Sequence, residues 1–184
     1  MTKGNLEKVL YSKLKDKDKE AFIRAYDLYL DHIYRFIFFK VNQKEEAEDL
    51  TSHVFLKTWD YIQNNKLNDY KTLKSLLYKV ARNVVIDHYR KTSQQANIHL
   101  DSPETIGAID ERQDIKSQLE LTSDLESVMK KLMELKAEYR EVIMLKYVNE
   151  LTVAEIADIL EKSRGNTRVL IFRALKALKA ISNY

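Results

Sequence analysis

Near the C-terminus, the run SRGNTRVLIFRALKALK concentrates side chains that can bond to nucleic acid. Arg164, Asn166, Thr167 and Arg168 stand at its start, followed by Phe172, Arg173 and Lys176. Arginine can donate to guanine edges or to phosphate oxygens, and an apolar group can touch a thymine methyl. A second group lies earlier in the chain. Lys71, Lys74, Tyr78, Arg82 and Tyr89 recur at helical spacing, interleave cations with aromatic rings, and are flanked by Asn83 and Arg90.

The elements that must carry the first group read as a helix-turn-helix. A first helix, Val153 to Leu160, would bury Ile156, Ala157 and Leu160, with Ala157 as the small residue where two helices cross. Thr152 is placed to cap it, and Glu155 three residues on completes a capping box. A second helix is expected from near Asn166, turning Ile171, Ala174, Leu178 and Ile181 inward and Arg168, Phe172, Lys176 and Lys179 outward. Arg164 and Asn166 then sit at the tip that enters a major groove. Glu161 occupies the turn where glycine is usual, at a cost on the order of 1 kcal/mol if its backbone is left-handed. Gly165 is read as allowing a tight approach into the second helix. Such hairpins also occur in proteins that never touch DNA, so the motif alone leaves base reading and plain packing both open.

Upstream, residues 20–41 show an apolar stripe of Phe22, Tyr26, Tyr29, Ile33 and Phe36. A second helix is expected from near Asn42, its proposed cap, with Glu45, Glu46, Glu48 and Asp49 in the first turns. Its inward residues are Ala47, Leu50, Val54 and Tyr61, with Phe55, Trp59 and Ile62 beside them. A third helix, over YKTLKSLLYKVARNVVIDHYRK, has Leu73, Leu77, Val80 and Val84 as its stripe. Periodicity fades from Thr92 to Asp124, where Pro103 and Gly107 lie, and returns in two helical patterns, LESVMKKLMEL and AEYREVIMLKYV.

With one proline and three glycines in 184 residues, the chain lacks the turn residues a sheet protein needs. The expected fold is all-α: an N-terminal helical bundle (1–91), an acidic linker (92–124) and a C-terminal helix-turn-helix four-helix domain (125–184). Lys+Arg exceed Asp+Glu by 5 in the first segment and by 3 in the last, while the linker carries an excess of 5 acids. Two basic blocks around an acidic one suit two polyanion-binding units on a tether. The absence of cysteine excludes disulfides and thiolate metal sites. The four histidines lack ligand spacing, and neither a phosphate-binding glycine loop nor a catalytic triad is present. No catalysis, metal or cofactor is therefore expected. A polar N-terminus and the lack of any apolar run of spanning length point to a cytoplasmic protein that does not insert in a membrane.

Four stretches, EEAEDLTSHVFLKTW, LLYKVARNVVIDHYRK, YREVIMLKYVNELTVAEIADIL and GNTRVLIFRALKAL, taken in this order, resemble the extracytoplasmic-function group of bacterial sigma factors. The resemblance covers about residues 20–91 and 125–180. It implies that Glu48, Asp49, Ser52, His53 and Phe55 grip core RNA polymerase, with Ser52-His53 standing where the family usually has Gln-Glu. It implies that the loop NNKLNDY and the helix after it open the minus-ten promoter element. Melting requires a basic surface for the strands and a pocket for an extruded base. Asn64, Asn65 and Asn68 can bond an unpaired base edge, and Lys71, Lys74, Tyr78, Arg82, Asn83, Tyr89 and Arg90 would form the basic-aromatic face. Leu73 and Leu76, at positions where the family commonly has aromatics, are read as packing residues. The C-terminal helix would read the minus-thirty-five element through Arg164, Asn166, Thr167, Arg168, Phe172, Arg173 and Lys176, chiefly at its N-terminal end because the middle, VLIF, is apolar. Arg173 could alternatively brace the bundle. The implied partners are core polymerase, promoter DNA and an anti-sigma factor. The competing reading is a conventional helix-turn-helix regulator whose N-terminal bundle senses a ligand or dimerises.

Overall fold

A computed structural model describes residues 3–41, 43–64, 67, 72–95 and 130–182. Among these, every regular element is helical: α1 (Lys3–Lys15), α2 (Lys19–Val41), α3 (Lys44–Asn64), α4 (Leu73–Gln95), α5 (Ala137–Ile143, continued by a π turn at Met144–Val148), α6 (Val153–Leu160) and α7 (Arg164–Ser182). Contacts divide the chain into two units, Met1–Val85 and Ile86–Tyr184, the division falling inside α4.

In the first unit α2 packs on both α1 and α3. Helix α1 was not anticipated from sequence, because its few apolar residues are diluted by lysines. Leu10 and Leu14 are nonetheless buried against α2, and Tyr29 of α2 donates a hydrogen bond to the Glu7 carboxylate. Lys17 turns the chain in a left-handed conformation (φ 60°), and the Asp18 carboxylate accepts from the N–H groups of Glu20 and Ala21, capping α2. The expected cap of α3, Asn42, lies outside the described residues. The α2 stripe is seated as its spacing predicts, with Tyr29, Ile33 and Phe36 fully buried. On α3, Thr51 and Thr58 are buried and donate to the carbonyls of Ala47 and Val54 one turn back, so neither hydroxyl is left unsatisfied. Leu73 and Leu76 are fully buried, in keeping with their packing assignment.

In the second unit α7 packs against α5 and α6. The Arg140 guanidinium donates to the carbonyls of Met133 and Leu135, fixing the turn that leads into α5. The π turn closes with the Asn149 N–H on the Met144 carbonyl at 2.9 Å. Its extra residue moves Tyr147 and Val148 to the surface while Leu145, Asn149 and Leu151 stay buried. The capping box on α6 forms as expected. Thr152 Oγ1 accepts from the Glu155 N–H at 3.2 Å, and the Glu155 carboxylate accepts from the Thr152 N–H at 2.9 Å. Ala157 is buried at the α6–α7 crossing.

Helix α6 ends on Glu161, at φ 55° and ψ 38°, with the Lys162 N–H returning to the Ala157 carbonyl. This is the left-handed strain read from the sequence, at a position where glycine has no Cβ to clash. Glu161→Gly is therefore expected to stabilise the second unit by about 0.5–1 kcal/mol. Thermal unfolding would register this as a higher midpoint, and an unchanged or lower midpoint would show that other Glu161 interactions outweigh the strain.

Candidate nucleic-acid interface

The second helix of the motif starts two residues earlier than its sequence suggests. Ser163 caps it: its Oγ accepts from the Asn166 N–H at 3.1 Å and its carbonyl from the Thr167 N–H at 2.9 Å. Gly165 thus lies in the first turn of α7 with an ordinary helical backbone, and a Cβ there would meet only Ser163 Oγ at 3.9 Å. The expectation that Gly165 shapes the entry into this helix is corrected accordingly. The turn does not require glycine, and the space beside it is open on the outer side.

Helix α7 carries Arg164, Arg168, Arg173, Lys176 and Lys179 and no carboxylate. It buries Thr167, Leu170, Ile171 and Ala174, which leaves Arg164, Asn166, Arg168, Phe172, Arg173 and Lys176 exposed together. Thr167 is a correction. It is fully buried and its hydroxyl donates to the Ser163 carbonyl at 3.0 Å, so it secures the helix start and cannot face DNA. Arg173 is solvent-exposed and forms no ion pair among the described residues, so it does not brace the unit. An ion pair beside the motif, Lys162 with Glu138 at 3.0 Å, ties the inter-helix turn to α5.

On the basic-aromatic face expected of α4, the structure turns the aromatic rings inward. Tyr78 is 0% exposed and its ring meets Phe36 edge-on, centroids 5.2 Å apart. Tyr89 is buried as well. Neither ring is available to stack on a base. Lys74 and Arg82 flank Tyr78 along the helix and are half-buried. The exposed positions are Asn83 and Arg90, which sequence reasoning had placed at the margin. Between Leu73 and Val85 the helix is buried around most of its circumference, so an aromatic ring there is drawn inward whichever stripe it extends. Asn64 is exposed at the end of α3, its amide nitrogen donating to the Asp60 carbonyl at 3.0 Å and the Asp60 carboxylate at 2.9 Å. Asn65, Asn68 and Lys71 lie outside the described residues.

On α3, Glu48, Asp49, Ser52 and His53 share an exposed strip, with Ser52 Oγ donating to the Glu48 carbonyl. Phe55 does not belong to it. It is buried in an aromatic cluster, 4.6 Å from Tyr26 and 6.5 Å from Phe22 between ring centroids, while Trp59 contacts Phe22 at 4.8 Å. The resemblance placed Phe55, and not Trp59, in the polymerase contact. Phe55 is more deeply buried than Trp59, because its ring fills the cluster with Tyr26 and Phe22. The residue that was missed is Leu56, 69% exposed and one turn beyond Ser52 and His53 on the same strip. Its signal was available, since an apolar residue four positions after Ser52 continues a polar stripe. Burial raises the phenol of Tyr34 above its ordinary range, with the Glu48 carboxylate adding to the effect.

A family model of Sigma-70 region 2 matches residues 25–95, and one of Sigma-70 region 4 matches residues 125–178. The ECF RNA polymerase sigma factor SigM of Bacillus subtilis (strain 168) is 32% identical over 160 residues, which span 86% of this chain and 93% of that protein. The chain belongs to the ECF RNA polymerase sigma factors. SigW of the same organism is 29% identical over 175 residues, covering 90% of this chain and 91% of its own. The sigma factor RpoE, solved in complex with the anti-sigma factor NepR from Bartonella quintana, shares the fold at a TM-score of 0.68 and 21% identity, over 88% of this chain and 96% of that one. CnrH, solved with the cytosolic domain of CnrY, does so at 0.67 and 16%, over 97% of each chain. In this ECF sigma factor the region 2 match takes in most of α2 and all of α3 and α4, and the region 4 match takes in α5, α6 and most of α7. Matches to both regions in one chain favour a transcription initiation factor over a conventional helix-turn-helix regulator. Among the described residues, no group of three His, Asp or Glu side chains is placed to hold a metal ion, and no helix is long and apolar enough to cross a membrane.

Proposed function

We propose that this ECF sigma factor acts in the cytoplasm as a dissociable initiation subunit. It binds bacterial core RNA polymerase through the outer strip of α3, engages the minus-ten element near α4 and reads the minus-thirty-five element with α7. The observation that carries the reading is α7 itself, a helix with five cations and no carboxylate, exposed as the second helix of a helix-turn-helix. Glu48, Asp49, Ser52 and His53 form the polymerase contact, with Leu56 as its apolar anchor. Lys74, Arg82, Asn83 and Arg90 supply the cationic and polar groups for the melted strands, while Tyr78 and Tyr89 hold the helix in place. Arg164, Asn166, Arg168, Phe172, Arg173 and Lys176 meet the upstream element. The chain performs no bond chemistry of its own, since phosphoryl transfer belongs to the polymerase. Free in solution it binds DNA weakly and in a strongly salt-dependent way, because two small basic surfaces bind tightly only when their spacing is fixed. A regulator of the anti-sigma kind would act by covering the same exposed strips.

Run-off transcription with purified bacterial core polymerase on a library of upstream fragments tests the reading. Specific starts are expected only when the chain is added. Transcription of no fragment, together with a shift of a palindromic duplex by the chain alone, would hand the role to a conventional dimeric regulator.

A further inference from the structure

We propose that Tyr11 and Lys17, on α1 and the turn after it, are positioning residues for promoter opening, anchoring the backbone on either side of Asn64. The proposal rests on the minus-ten role given above to the region around α4. That role assigns no work to α1, and the region 2 match begins at residue 25, beyond both anchors. The Tyr11 hydroxyl donates to the Leu67 carbonyl and the Lys17 ammonium to the Gln63 carbonyl, both at 2.5 Å. Gln63 lies in the last turn of α3, where carbonyls have no partner within the helix and the helix dipole favours a cation. Leu67 lies beyond the helix and is itself buried.

The anchors are themselves held. Leu10 and Leu14 are buried, and the Glu7 carboxylate accepts from Tyr29, which seats α1 on α2. Lys15 Nζ stands 5.2 Å from the centroid of the Tyr11 ring, a cation–π contact that restricts the half-buried phenol. Lys17 adopts a left-handed backbone, unfavourable for a residue with a Cβ, in the same turn that starts α2. One such bond would be an ordinary tie between helices. Two of them bracket Asn64, the exposed residue able to bond an unpaired base edge. Neither bond reads a base. Together they set where the backbone flanking Asn64 stands relative to α2. A binding constellation must be held within about 0.5 Å of its productive geometry, and base capture must also offset the cost of unstacking. Loss of the anchors should therefore weaken opening of the duplex while leaving the fold and polymerase binding intact.

The test uses holoenzyme, assembled from core polymerase and the full chain, on a promoter recovered by run-off selection. Run-off yield is measured on the duplex and on the same promoter with its minus-ten region pre-opened by a non-complementary strand. Tyr11→Phe combined with Lys17→Met, which keeps the ring and the aliphatic stem, is expected to lower initiation on duplex about five- to thirty-fold. The pre-opened template should restore it to within about two-fold, and circular dichroism should show the variant fully folded at the assay temperature. Val9→Ala, at an exposed position of α1, should behave as wild type on both templates. An unchanged yield on duplex would overturn the proposal. An equal loss on the two templates would overturn it too, by assigning α1 to stability or polymerase binding. Arg82→Ala and Arg90→Ala report the minus-ten role separately. If they impair opening and the anchor variant does not, only the anchor falls; if they also leave opening unchanged, the minus-ten role falls and the anchor with it.

Discussion

Arg168→Ala is expected to lower promoter-specific initiation about ten- to a hundred-fold, the range for losing a good bidentate base contact. The side chain is exposed at the outer stripe of α7 and makes none of the hydrogen bonds or ion pairs that hold the second unit together. Alanine is also a better helix former than arginine, so the fold should be unaffected. The measurement is run-off yield by holoenzyme at fixed salt, compared between the selected promoter and promoters altered one base pair at a time. A base-reading Arg168 predicts that the variant loses preference at one position of the upstream element. A side chain that only holds phosphate predicts a uniform loss on all promoters and a salt slope reduced by about one. The two results are readily separated, and the second would shift base reading to Arg164 and Asn166.

Tyr78→Ala is expected to destabilise the first unit by about 3–5 kcal/mol, the cost of emptying a large buried aromatic site. That is a large share of the roughly 5–15 kcal/mol that holds a small domain together. The ring is fully buried against Phe36, and its loss leaves a cavity beneath α4 that leucine neighbours can only partly fill. Urea unfolding followed by circular dichroism should show the midpoint falling sharply. Arg90→Ala, at an exposed position of the same helix, should move it little. Transcription by the Tyr78 variant should fall in step with the folded fraction. A variant that stays fully folded yet fails to open promoters would restore Tyr78 to the nucleic-acid surface.

The contrast between α7 and α4 shows why the exposed face of one helix was legible in the sequence and that of the other was not. In α7 the inner residues are small or aliphatic and every cation lies on the outer side, so the helical period places the cations without knowledge of any neighbour. The capping box at Thr152 and Glu155 and the strained turn at Glu161 were legible for the same reason, since they depend on residues three or four apart. Helix α4 has no such separation. Leu73, Leu76, Leu77, Tyr78, Ala81, Val84 and Val85 are all buried and occupy most of its circumference, so spacing alone cannot say which side meets Phe36. The same ambiguity moved Phe55 from the polymerase strip into the aromatic cluster with Phe22 and Tyr26, and left Leu56 exposed in its place.

By itself, the sequence determined the all-helical class, the helix-turn-helix with the capping box of its first helix, the cationic second helix and, through four ordered stretches, the family. These follow from composition and from contacts within a turn or two of helix, which local residue types dictate. Only the tertiary structure decided that α1 exists as a packed helix, that a π turn exposes Tyr147 and Val148, and that Thr167, Tyr78, Tyr89 and Phe55 are buried. It likewise decided that Val169 and Leu56 face outward. Each of those outcomes depends on which distant surface a side chain meets. The free energy of burying a ring or an aliphatic chain is the same on either side of a helix until a neighbour takes one side.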